Sequence, residues 1–106
     1  MIIKKFLMYA KSNDGSNPLR GFVESMYLNP LYPEITKKLI SQPGFIKKIN
    51  TLTETAEYSE FRNEIYFEDQ ETFDVYFSDN SIINLYEYIQ VMANAEGIET
   101  KWETIT

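Results

Sequence analysis

Residues 60–79 read EFRNEIYFEDQETFDVYFSD, the densest mixture of aromatic and acidic side chains in the chain. Its first part alternates. Phe61, Asn63, Ile65 and Phe67 fall on one side of an extended segment, with Arg62, Glu64 and Tyr66 on the other, because successive strand residues point to opposite faces. The pattern predicts a strand over 61–67 with a buried face and an amphipathic one. Asp69 then has the chemistry of a helix N-cap, and Glu71 sits in the first turn, where the helix dipole favours an anion. Phe73, Tyr76 and Phe77 share one face of the helix that follows. The stretch therefore reads mainly as scaffold: a strand and a helix that share a core.

Working outward, Asp79 or Ser81 restarts a helical piece. In it Ile82, Leu85, Tyr86, Ile89, Met92 and Ala93 recur at three- and four-residue spacing, up to the stop at Gly97. A last strand is expected over 98–105. Upstream, residues 2–10 carry apolar groups on both faces and read as an internal strand. The run SNDGSNP over 12–18 is a loop by composition, with Asn17 a cap and Pro18 in the first turn of a helix. Pro33 is placed as the first residue of another helix, which Pro43-Gly44 ends. A strand over 45–53 and a polar connection over 53–60 complete the chain. The order is βαββαβ: an α+β, ferredoxin-like fold with a four-stranded antiparallel sheet and helices on one face. The chain reads as a single domain over 1–106, with an irregular, proline-containing segment at 12–33.

Pro43-Gly44-Phe45 entering a strand, a second strand ending Tyr66-Phe67-Glu68-Asp69, and the helix opening Glu71-Thr72-Phe73 together resemble the dimeric α+β barrel superfamily of antibiotic-biosynthesis-monooxygenase-like proteins. The proline-rich segment between Ser12 and Pro33 departs from that pattern. The resemblance implies a homodimer that packs through its sheet faces. It makes Phe6, Met8, Ile49, Ile65, Phe67 and Trp102 candidates for either the helix-facing core or the dimer face. It also implies a ligand cleft between the sheet and the helices of one subunit. The ligand-binding candidates are the polar-tipped or aromatic Tyr9, Asn50, Asn63, Tyr66, Tyr86 and Trp102. Asn63 stands out among them, because an amide between Phe61 and Ile65 on a buried face needs partners.

Composition narrows the chemistry. The chain of 106 residues has no Cys and no His. That removes disulfides, thiolate nucleophiles, cysteine-type zinc sites and the usual near-neutral acid–base residue. No cofactor or metal site is implied, and no catalytic residue can be named. Glu68-Asp69 at a strand-to-helix junction reads as capping and not as a cation site. The net charge of −6 divides into +5 over residues 1–50 and −11 over 51–106. The acidic half would repel a phosphate backbone. No apolar run approaches a membrane span, and the charged start of the chain is unlike a signal peptide, so the expected location is the cytoplasm.

Three functions fit these limits. The first is a non-catalytic homodimeric ligand-binding or accessory domain, with a small organic ligand or a protein as partner; the missing catalytic set places it slightly ahead. The second, implied by the resemblance, is a cofactor-free monooxygenase-like enzyme for a small aromatic or polyketide-like compound. The third is a single-stranded RNA-binding ferredoxin-like module, which would need Lys4, Lys47 and strand aromatics on one exposed face.

Overall fold

A computed structural model describes residues 1–11 and 18–106. Its elements are β1 (Ile2–Lys11), α1 (Pro18–Tyr27), α2 (Leu31–Ser41), β2 (Phe45–Glu54), β3 (Tyr58–Phe67), α3 (Gln70–Tyr76), α4 (Asn80–Ala95) and β4 (Glu99–Ile105). All strand pairs are antiparallel, in the order β2-β3-β1-β4. Each βαβ unit is thus split by a strand of the other, as the ferredoxin-like arrangement requires. The helices cover one face.

Alternation in β1 and β3 builds that face. Ile2, Phe6, Met8 and Ala10 of β1 and Phe61, Ile65 and Phe67 of β3 are buried against the helices. Leu19 and Val23 of α1, Leu39 of α2, Phe73 and Tyr76 of α3, and Ile82, Tyr86, Ile89 and Ala93 of α4 close over them. The two-way question about the sheet is thereby resolved: Phe6, Met8, Ile65, Phe67 and Trp102 face the helices. Ile49 sits opposite Glu64, on the other side. That outer face carries Ile3, Leu7, Tyr9 and Tyr66, half-buried within one chain, among Lys5, Glu60, Arg62 and Glu64.

The junction at 67–72 forms for the expected reason. The Asp69 carboxylate accepts from Thr72 N at 2.8 Å, and the Thr72 side chain closes the capping box on Asp69 N. Asp79 likewise caps α4, accepting from Ser81 N at 2.9 Å. Gly44, at φ +88°, is the tight point: a Cβ there would lie 2.5 Å from Thr72.

Three expectations shift. Most of segment 12–33 is helical, because α1 and the start of α2 occupy it; the loop and the Asn17 cap fall at 12–17, outside the described residues. α2 begins at Leu31, so Pro33 is its third residue and not its first. An N–H is unneeded anywhere in a first turn, and Asn29 Oδ1 accepts from Leu31 N at 2.9 Å to start the helix earlier. Met92, expected within the core stripe of α4, is exposed.

Candidate functional site

Between the sheet and helices α1, α2 and α4 lies a cavity of about 120 Å³. Its floor is the helix-facing side of three strands: Phe6 and Met8 from β1, Phe61 and Asn63 from β3, and Lys48 and Asn50 from β2. Phe22 and Met26 of α1, Tyr32 and Ile35 of α2, and Leu85, Tyr86, Ile89 and Met92 of α4 supply walls. Its volume is near that of an engineered apolar cavity that takes up benzene.

The polar groups converge from β2, β3 and α4. Asn63 is 7% exposed. Its Nδ2 donates to Tyr86 Oη at 3.3 Å, while its Oδ1 has no partner. A buried carbonyl without a donor costs roughly 1–3 kcal/mol. Directly across the ladder, Asn50 donates to Tyr27 Oη at 2.9 Å. Lys48 Nζ lies 3.4 Å from Tyr32 Oη and 5.0 Å over that ring. Tyr27 and Tyr32 meet edge to face at 4.9 Å.

Burial pushes the Tyr86 phenol up to about 12, although the Asn63 hydrogen bond partly offsets it. Tyr86 is therefore a neutral hydroxyl at physiological pH, with a proton to donate. The Tyr76 hydroxyl is buried nearby with no hydrogen bond of good geometry, and its pKa is raised mainly by burial. Burial also raises Tyr27. Among the described residues no carboxylate lines the cavity, and no group of three or more His, Cys, Asp or Glu could hold a metal ion.

Of the six candidates read from the sequence, Asn50, Asn63 and Tyr86 come together here. Trp102 shares the helix-facing layer but packs beside the cavity, 5.0 Å from Tyr86 and 5.1 Å from Phe6. Tyr9 and Tyr66 are on the opposite face of the sheet: Tyr9 stacks on Tyr58, and Lys47 sits 4.6 Å over Tyr66. Lys4 and Lys47 do not share a face, since Lys4 lies over Phe73 on the helix side. Lys48 and Tyr32 were missed. The signal for Lys48 was its period-two relation to Asn50; the stripe Leu19, Phe22, Val23 and Met26 was the signal for the α1 wall.

No protein-family model and no curated protein matches the sequence. Solved structures do match over nearly the whole chain. SnoaB, a cofactor-independent oxygenase from Streptomyces nogalater, superposes with a TM-score of 0.61 at 11% identity, over 99% of this chain and 91% of its own. A monooxygenase from the gene ActVA-Orf6 of Streptomyces coelicolor, solved in complex with nanaomycin D, gives 0.59 at 15% identity, over 98% and 85%. The de novo designed protein Foldit4 gives 0.53 at 10% identity, over 99% and 96%. At these identities the likeness is one of fold: a ferredoxin-like α+β chain over nearly its whole length, shared with these two oxygenases and equally with a designed protein.

Proposed function

We propose that the cavity binds a small aromatic compound bearing a hydroxyl, and that the chain acts on it as a cofactor-independent oxygenase. The observation that carries this reading is Asn63, buried with its Oδ1 unpaired at the floor of an apolar cavity. A leucine there would pack without that cost, so the amide is not explained by stability. A phenol O–H supplies the donor that Oδ1 lacks, and the aromatic body fits the surrounding Phe, Met and Ile side chains. The fold neighbours that are oxygenases favour turnover over the non-catalytic reading that the missing catalytic set first suggested.

The residues present set the chemistry. Among the described residues no carboxylate lines the cavity, and the chain has no His, so the reactive proton must leave a substrate that is already acidic. Asn63 accepts from the substrate hydroxyl. The proton passes to solvent water, to be taken back by the peroxide that forms next, and the protonated Tyr86 hydroxyl donates to the anion left behind. An electron-rich phenolate passes one electron to O2; the radical pair combines at the para carbon, and water is lost. One oxygen atom stays as a carbonyl, the other leaves in water, and the substrate's two C–H bonds (counted in its keto form) supply the four electrons. 1-Naphthol would thus give 1,4-naphthoquinone and water.

The outer sheet face fits a second copy of the chain. Ile3, Leu7, Tyr9, Ile49 and Tyr66 form an uncovered apolar layer, and the charges between them alternate in sign across strands, as Lys5 does with Glu64 and Glu103.

One preparation tests both parts. Oxygen uptake with 1-naphthol should equal quinone formed, one for one. Asn63→Leu should weaken 1-naphthol binding about 10-fold without lowering thermal stability. Binding without oxygen uptake would return the chain to the non-catalytic ligand-binding reading. Native mass spectrometry should give twice the 12.5 kDa chain mass; a monomer at working concentration would remove the second copy.

A further inference from the structure

Among the described residues, Lys48 is the one charged side chain that lines the cavity. It comes from the helix-facing side of β2, opposite the fully buried Ile65, where an apolar residue would be expected. Its ammonium meets the Tyr32 hydroxyl and ring. The ion pairs among the described residues involve Arg20, Lys38, Arg62 and Lys101, and none of them neutralises Lys48. Lys48 is half-buried, so its ammonium keeps part of its water, and the tyrosine ring offsets part of what it loses.

Register places this cation relative to Asn63. Lys48 pairs with Ile65 and Asn50 with Asn63, so Lys48 and Asn63 are diagonal neighbours on one face, about 7–8 Å apart at the backbone. One aromatic ring bridges such a gap.

We propose that Lys48 selects an anionic ligand: a small aromatic acid whose acidic group meets Lys48 and whose hydroxyl, one ring away, meets Asn63 Oδ1. The proposal rests on the small-aromatic reading of the cavity and adds the charge of the ligand to it. It competes with a plainer account, in which the Lys48 stem covers apolar surface and its head merely reaches the rim. That account predicts no charge preference.

The test is binding of 4-hydroxybenzoate, 4-hydroxybenzamide and benzoate at pH 7, followed by NMR titration of the full chain. The wild type should bind the acid at least about 10-fold tighter than the amide, as a charge-assisted contact gives. Lys48→Met, which keeps the stem, should remove that preference by weakening the acid alone. Lys48→Arg should retain it, which separates loss of charge from loss of packing. Equal affinity for acid and amide in the wild type, or a preference that survives Lys48→Met, overturns anion selection and leaves the aromatic site standing. Binding of none of the three overturns the site together with the proposal.

Discussion

The two ends of the helix-facing layer use the same kinds of residue and finish differently. Beneath α3 and the start of α4, the rings of Phe6, Phe73, Phe77, Tyr86 and Trp102 touch one another at 5.0 to 6.3 Å between centroids. Beneath α1 and α2 there is a cavity. Apolar side chains are not in short supply at that end: Leu28 between the two helices, and Leu31 and Ile40 of α2, point to solvent at 84%, 52% and 62% exposure. The gap follows from direction. Asn29-Pro30 breaks the segment into two short helices, each of which lays only part of its apolar face on the sheet. A chain that leaves a hole while sending leucines outward has not simply run out of material to fill it. This is why the unpaired amide oxygen of Asn63 weighs as a functional group.

The contrast breaks first if the filled end is not tight. Phe67 is fully buried and touches Phe45, Phe73 and Tyr76. Phe67→Ala should cost about 3–5 kcal/mol, read as a lower midpoint in urea with an unchanged slope. Asn63→Leu, four residues back on the same face of β3, should cost nothing or stabilise. A Phe67→Ala cost below about 1 kcal/mol would mean that the aromatic end collapses around holes as readily as the other end tolerates one.

Two glycines sharpen the comparison at smaller scale. Gly44 has φ +88° and its Cβ position lies against Thr72 of α3, so Gly44→Ala should destabilise by about 1–3 kcal/mol. Gly21, in the interior of α1, has nothing near its Cβ position. There Gly21→Ala should stabilise by about 0.5–1 kcal/mol through helix propensity alone. Paired melting curves check both; effects of equal sign would contradict the different packing of the two helical pairs.

The filled end was legible in the sequence and the open end was not, for a physical reason. Period-two alternation in 61–67 and the Asp69 cap are local, and each picks its own face or terminus without reference to the rest of the chain. The same alternation identified Asn63 as an amide on a buried face. It could not say that Tyr9 and Tyr66 belong to the other side of the sheet, because β1 and β3 carry apolar groups on both faces and only the helices break that symmetry. The cavity depends further on where α1 and α2 end. Composition marked 12–33 as irregular, whereas Pro18, Pro30 and Pro33 stand at or near helix starts, where proline is tolerated. The role of Lys48 is not local in the sequence: a lysine pair on a strand places one ammonium on each face, and the partner that identifies the inward one, Tyr32, comes from the proline-containing segment at 12–33.

Tyr86 stands on the border between the two ends, with its ring among the aromatics and its hydroxyl on Asn63. Burial raises its pKa in the folded chain from 10.0 to about 12. The unfolded chain therefore releases this proton first, and folding stability falls as pH rises from about 10 towards 12. Below that window the group contributes no pH dependence. Tyr76 is shifted in the same direction by the same cause, so the decline is shared. Tyr86→Phe should leave stability at pH 7 changed by no more than about one hydrogen bond, roughly 0.5–1.5 kcal/mol, and should flatten part of the alkaline decline, measured as urea midpoints between pH 9 and 12. If the wild-type and Tyr86→Phe curves stay parallel throughout, the hydroxyl is wet in solution. The border between the packed end and the cavity would then lie on the aromatic side of Tyr86, not at its oxygen.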